Sequence, residues 1–198
     1  MNHDVWNTRY SDRELVWSAE PNQFLVSEIE NLTAGRALDF GAGEGRNALW
    51  LAERGWQVTA VDFSDVAIGK GKRIAEHRGV EIEWVVADLQ TYVPPERSFD
   101  LVIEFYIHIP EPWRPEIWVR AADAVANGGT LLVVGHDLSN LDRGVGGPQN
   151  PAALFTAQDV ANSIEGLDIL KAGQVVRQTE SGAAIDSLVR AQRSSKTR

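Results

Sequence analysis

Cysteine is absent from this chain of 198 residues, which excludes disulfides, thiol nucleophiles and zinc–thiolate centres. Positive charge is scarce: 19 Lys and Arg stand against 28 Asp and Glu, a net charge of −9. That balance argues against nucleic acid as a partner, because phosphate binding needs Lys and Arg to neutralise the backbone. It equally disfavours an anionic membrane surface. Long apolar runs are missing too; nothing approaches the roughly 20 residues that span a bilayer. The start, Met1-Asn2-His3-Asp4, lacks the basic and apolar regions of a signal peptide. These absences predict a cytoplasmic protein with no membrane partner, no nucleic-acid partner and no metal centre.

What is present is an ordinary globular composition, 43% hydrophobic and 24% charged. The chain reads as one domain, long enough to bury a sheet on both faces. Its organising stretch is Asp39-Phe40-Gly41-Ala42-Gly43-Glu44-Gly45, which follows the apolar Ala37-Leu38 and precedes the helix-like Asn47–Ala52. A strand that breaks into glycines before a helix is a cradle for a polar ligand, since backbone N–H groups approach it without a Cβ in the way. The bland alternative is a glycine turn that only joins strand to helix. The spacing is G-x-G-x-G rather than the dinucleotide G-x-G-x-x-G, and Asp39 closes the strand just before it. A carboxylate there opposes a pyrophosphate and suits a cofactor with a positive centre and an ammonium, as S-adenosylmethionine has. Asp62 ends the next strand roughly 20 residues on, where an acid binds ribose hydroxyls. Phe63 follows it, placed to lie against adenine. Asp88 closes a third run, Ile82–Ala87, so three successive strands end in aspartate and line one crevice.

Asp39–Ala48, Val61-Asp62-Phe63-Ser64 and Ala87-Asp88-Leu89 together resemble the first three motifs of class I S-adenosylmethionine-dependent methyltransferases. The Gly45-Arg46-Asn47-Ala48 continuation, with Trp6-Asn7-Thr8-Arg9-Tyr10 near the start, is similar to small bacterial enzymes of the tellurite-resistance and thiopurine methyltransferase type. The resemblance implies a Rossmann-like, doubly wound α/β fold: a mostly parallel seven-stranded sheet, helices on both faces and an antiparallel edge hairpin. It implies an N-terminal helical lid over residues 1–35, a core over 36–192 and a mobile tail over 193–198. The implied cofactor contacts are Tyr10, Asp39, Gly41, Ala42, Gly43, Arg46, Asn47, Asp62, Phe63, Ser64, Asp88, Leu89, Glu104 and Phe105. Gly41, Ala42 and Gly43 meet the methionine moiety and Asp39 its ammonium. Phe63 and Leu89 flank adenine, whose exocyclic amine meets Asp88. For Arg46 a surface ion pair stays open beside a ligand contact.

Further along, Phe99–Ile103 reads as a fully buried parallel strand that emerges into Glu104-Phe105-Tyr106-Ile107-His108, where a small-molecule substrate meets the methyl group. No Asn-Pro-Pro-Tyr-like motif stands there, so nucleic-acid amino-methylation is not indicated. His108 and His136 are the candidate bases, with structural histidines as the alternative. Trp17, Tyr106, His108 and Asp137 form the candidate substrate wall. Pro112 and Pro115 start a helix that Asn127-Gly128-Gly129 stops, and about 18 loop residues after Asp137 read as functional or disordered. Residues 167–177 and 183–191 read as the edge hairpin. Two rivals to methyl transfer to a small molecule stand: a nicotinamide-dependent oxidoreductase, and a non-catalytic protein that binds S-adenosylmethionine or a metabolite.

Overall fold

The strongest apolar runs become the middle of a sheet. A computed structural model describes residues 3–11, 15, 20–109 and 111–195. Its elements run α1 (His3–Ser11), α2 (Gln23–Ile29), β1 (Arg36–Phe40), α3 (Arg46–Ala52), β2 (Gln57–Asp62), α4 (Asp65–Arg78) and β3 (Ile82–Val86). They continue with β4 (Phe99–Phe105), α5 (Arg114–Ala124), β5 (Val125–His136), α6 (Asn140–Arg143), α7 (Ala157–Ser163), β6 (Asp168–Thr179) and β7 (Gly182–Gln192). The seven strands lie in the order β3-β2-β1-β4-β5-β7-β6. All pairs from β3 to β5 are parallel, and β7 pairs antiparallel with both β5 and β6. This is the expected Rossmann-like sheet with an antiparallel edge hairpin. The strand order reverses between β1 and β4, which opens the crevice at their carboxyl ends.

Alternate residues of each strand feed two cores. On one face Leu38, Phe40 and Val102 pack with Ile117, Trp118 and Ala121 of α5. On the other, Ala37, Leu101 and Ile103 pack with Leu25 and Ile29 of α2 and Leu51 of α3. Caps fix where the helices begin. Ser64 Oγ accepts from the Ala67 amide at the head of α4, and Thr156 with Asp159 forms a reciprocal capping box on α7. Gly71 inside α4 has a packing reason: a Cβ there would lie 2.4 Å from the Trp84 ring.

Several boundaries differ from those the sequence predicts. The sequence also offers Gly55 as the left-handed end of the helix behind the glycine turn, but α3 ends at Ala52 and Gly55 takes φ 82° in the turn that follows. α5 stops at Ala124, and β5 already runs through Asn127-Gly128-Gly129. The loop after Asp137 contains α6 and a short 3-10 turn at Pro151–Ala153. Arg193, placed in the mobile tail by the sequence, is held instead: its guanidinium donates to Val125 O at 2.8 Å and Ala122 O at 2.8 Å. α1 docks on α4, where Asn7 Nδ2 donates to Asp65 Oδ1 at 2.8 Å and Lys70 Nζ donates to Tyr10 O. Among the described residues no helix is long and apolar enough to cross a membrane.

Candidate active site

At the switch point a cavity of about 340 Å³ opens between the glycine turn, α1, the end of β4 and the edge hairpin. The turn is built by β2. The Gly41 and Ala42 amides donate to Val61 O at 2.8 and 2.9 Å. Gly43 N donates to Asp62 Oδ2 at 2.8 Å and Ser64 N to Asp62 Oδ1 at 2.9 Å, so one carboxylate clamps the turn to the head of α4. Gly41 takes φ 97°, and a Cβ there would meet Ile107 Cδ1 at 1.9 Å, so no larger residue fits. Behind the turn Asp39 is buried, and its Oδ2 has no hydrogen-bond partner. Burial, reinforced by the neighbouring Asp62 charge, raises its pKa to about 7 against the opposing Ala48 amide and Arg46. Asp62 is raised too, by burial, with the Ser64, Gly43 and Phe63 amides opposing.

The far wall is a polar cluster centred on Asp186 of β7, which is fully buried. Tyr106 Oη donates to its Oδ2 at 2.7 Å, and Arg177 Nε donates to the same oxygen at 2.8 Å. Asp186 Oδ1 lies 3.2 Å from His136 Nδ1. Burial pushes the Asp186 pKa up, but the adjacent His136 and the Arg177 and Tyr106 donors outweigh it and hold the carboxyl below its ordinary range. Tyr106 sits at φ 56°, a costly backbone for a bulky residue and a position set by the site rather than by propensity. Its hydroxyl also accepts from Asn22 Nδ2 at 3.4 Å, and Asn22 N donates to Asn47 Oδ1 at 2.9 Å. The rings of His108 and His136 stack at 5.5 Å and 14°. Burial, then the His136 and Arg9 charges, lowers the His108 pKa to about 4, so it is neutral in ordinary buffers.

Of the residues singled out in the sequence, Tyr10, Gly41, Ala42, Gly43, Arg46, Asn47, Asp62, Phe63, Phe105, Tyr106, His108 and His136 line this cavity. Five do not. Ser64 is buried as the cap of α4, and Leu89 packs in the core beneath Gly41. Asp88 is exposed two residues past β3, where its Oδ1 accepts from Gln90 N at 2.9 Å. Glu104 is buried but turned toward α5, where burial raises its pKa to about 8 against Trp118 and Arg114. Adjacent residues of β4 face opposite sides, so Glu104 and Phe105 are not both able to reach the cavity. Asp137 is held between the loop and the edge hairpin, where it accepts from Ser187 Oγ at 2.6 Å, Ser139 Oγ at 2.7 Å and Gln174 Nε2 at 2.9 Å. Trp17 lies outside the described residues. Trp6 of the expected lid and the Val145-Gly146-Gly147 segment of the loop after Asp137 also line the cavity, and the sequence reading missed Arg177 on its wall and Asp186 behind it. Asp186 stands among the apolar residues Ala183, Ala184, Ile185, Leu188 and Val189 of β7, whereas Arg177 is one of several polar residues of β6 and carries no such mark. Among the described residues no cluster of His, Cys, Asp or Glu is built to hold a metal.

Comparison with known proteins follows the same geometry. Residues 37–129, from β1 into β5, match the family described as "Methyltransferase domain". A ubiquinone biosynthesis O-methyltransferase of Idiomarina loihiensis is 30% identical over 125 residues, 62% of this chain and 49% of the relative. A 2-heptyl-1-hydroxyquinolin-4(1H)-one methyltransferase of Mycobacteroides abscessus is 28% identical over 137 residues, 67% of this chain and 60% of the relative. The chain thus spans about half the length of the curated relatives it matches. Among solved structures, the N-methyltransferase NodS of Bradyrhizobium japonicum, in complex with S-adenosyl-L-homocysteine, superposes with a TM-score of 0.74 at 17% identity. The match covers 96% of this chain and 97% of that one. The matched segment contains the glycine turn and both acids that order it, and over that segment the chain is similar to the methyltransferase domain.

Proposed function

We propose that the protein binds S-adenosylmethionine in the glycine cradle and transfers its methyl group to a small molecule held against the far wall. The observation that carries this is the pairing of a glycine turn on the cavity wall with a buried carboxylate oxygen on Asp39 that has no hydrogen-bond partner. A buried anionic acceptor without a donor is costly alone and favourable beside a ligand ammonium. A diphosphate would find there two buried carboxyls of its own sign, Asp39 and Asp62. The relatives' names support the reading, since those quoted above are methyltransferases.

When bound, the cofactor supplies a methyl group on a positively charged sulfur. This chain's residues position it. Gly41, Ala42 and Gly43 give a backbone surface for the methionine end, Asp62 and Phe63 take the nucleoside, and Trp6 and Tyr10 of α1 close over it. Tyr106, His108 and His136 face the acceptor and hold it in line with the transferred carbon, which is the main contribution to rate when the leaving group is already good. Residues 1–35 act as the lid in this reading. The test is thermal: S-adenosylhomocysteine raises the melting temperature, while NAD and NADP at the same concentration leave it unchanged. Stabilisation by a nicotinamide dinucleotide instead would sink the reading. A second assay, release of S-adenosylhomocysteine from S-adenosylmethionine over a metabolite library, separates an enzyme from a protein that only binds.

A further inference from the structure

We propose that Asp186 positions His136 as the base of the site, and that the pair selects an acceptor bearing an acidic O–H group, a phenol or an enol. The inference rests on the methyl-transfer reading above and names its acceptor class.

The arrangement begins in the sheet register, where β7 sets Asp186 directly opposite His136 of β5. The carboxylate is fixed from two sides: Tyr106 and Arg177 both donate to Oδ2, and Oδ1 is left beside His136 Nδ1 at 3.2 Å. The imidazole is fixed as well. The ring stacks on His108, and Gly147 lies against it, where a Cβ would fall 3.0 Å from three ring atoms. Nδ1 is sealed from solvent, which leaves Nε2 as the nitrogen open to the cavity. A histidine backed at Nδ1 by a buried carboxylate is held in orientation and stabilised when it gains a proton at Nε2.

The charged and titratable groups around His136 decide what it serves. They are Asp186 from β7, Arg177 from β6, and Tyr106 and His108 from the end of β4. His108 stays neutral, and Arg177 offsets Asp186, so no uncompensated carboxylate lies beside the base. An oxyanion that forms there meets the guanidinium and imidazoles rather than a like charge. A thiol or a metalloid oxyanion reaches the site already as a nucleophile and has no use for this pair; an aliphatic alcohol is too weak an acid for imidazole. A phenol or enol fits between them. Its oxygen gives its proton to His136 Nε2 and its lone pair forms the O–CH₃ bond. The electrons of the broken C–S bond leave on the thioether sulfur, and the proton then passes to solvent.

The experiment measures S-adenosylhomocysteine release from S-adenosylmethionine with 2-naphthol, 4-hydroxycoumarin, thiophenol, aniline and sodium tellurite, across the pH range. Wild type is compared with Asp186→Asn and His136→Gln, and S-adenosylhomocysteine affinity by calorimetry serves as the folding control. Turnover of naphthol or hydroxycoumarin but not of thiophenol, aniline or tellurite supports the proposal. His136→Gln then lowers kcat by about 100-fold or more. Asp186→Asn lowers it by about 10-fold and moves the acidic limb of kcat/KM to lower pH, because the imidazolium loses its counter-charge, while cofactor affinity holds. If the Asn variant does not fold, His136→Gln carries the test alone, since it leaves Asp186 with Arg177 and Tyr106; its profile then lacks the acidic limb. Turnover confined to thiophenol, aniline or tellurite overturns the proposal. So does rejection of every phenol and enol by a protein that binds S-adenosylhomocysteine, or an unchanged pH profile in both variants. If wild type does not bind S-adenosylhomocysteine, the methyl-transfer reading falls with it.

Discussion

Asp39 holds a carboxyl that folding alone leaves half-provided for: buried, short of a donor at Oδ2, and titrating at about 7. A cationic ligand recruits its ionised form, so proton loss and binding are coupled. Below its pKa the carboxyl is neutral and the ammonium gains little; above it the full charge is available. S-adenosylhomocysteine should therefore bind about 10-fold more weakly at about pH 6 than at about pH 8 by calorimetry, and Asp39→Asn should bind weakly at both with the pH dependence gone. A wild-type affinity independent of pH would separate Asp39 from the ligand ammonium. The same residue shows how far single positions are legible. Asp39 and Asp62 were readable because acids at strand ends beside a glycine turn have few other uses. Asp88, Glu104 and Asp137 satisfy the same rule in letters, yet Asp88 stands exposed after β3 while Glu104 and Asp137 turn away from the cavity. Period-two alternation decides which side of a sheet an acid takes, and a strand end that slips by one residue reverses it.

α4 separates helix propensity from packing within a single element. Gly69 and Gly71 both lower its intrinsic helicity, and the sequence makes them equivalent. The structure does not. A Cβ at Gly69 meets nothing within 4 Å, whereas one at Gly71 falls 2.4 Å from the Trp84 ring and 3.0 Å from Glu44 O. Gly69→Ala should stabilise the protein by roughly 0.5–1 kcal/mol, the backbone-entropy gain alone. Gly71→Ala has the same gain but overpacks a filled interface at about 1–3 kcal/mol, and should destabilise it in urea titrations. Equal effects would mean that Trp84 does not need the gap. α1 poses the complementary question. It reaches the body of the protein through Asn7, Tyr10 and their bonds to α4, and it brings Trp6 and Tyr10 to the cavity wall. Removal of residues 1–20 should leave a cooperative unfolding transition while S-adenosylhomocysteine affinity falls by about 10-fold or more, as the calorimetric Kd reads. Loss of the folded state itself would make the helix a core element rather than a lid. The edge hairpin was legible as two strands, but not as half of the site. Arg177 and Asp186 acquire meaning only when antiparallel pairing sets β7 against β5, a contact between residues about 50 apart in the chain that no local pattern encodes.

Buried acids and net charge act in one direction on the molecule as a whole. Asp39 and Glu104 have folded-state pKa values raised to about 7 and about 8, and Asp62 is raised as well, all by burial. A carboxyl whose pKa is higher folded than unfolded contributes stability below its unfolded value, and that contribution is lost as pH rises through the folded one. The window is thus about pH 4 to 8, and across it the apo protein should lose stability as pH rises. Self-repulsion from a net charge of −9 adds to the loss. Asp137 and Asp186, with lowered pKa values, act oppositely, but only near and below the ordinary carboxyl range, so they set the acid limit rather than the slope. Glu104 supplies the decisive variant because, unlike Asp39 and Asp62, it has no part in the proposed cofactor site. Glu104→Gln keeps the shape, removes the charge that burial penalises and leaves the amide beside Trp118 and Arg114. Its melting temperature should match wild type near pH 5 and exceed it by several degrees at pH 8, where each kcal/mol is worth about 2–4 °C in a chain of this size. A wild-type melting temperature that climbs from pH 5 to pH 8, with the Gln variant following it in parallel, would show that these carboxyls ionise at ordinary values and that water reaches them inside the sheet.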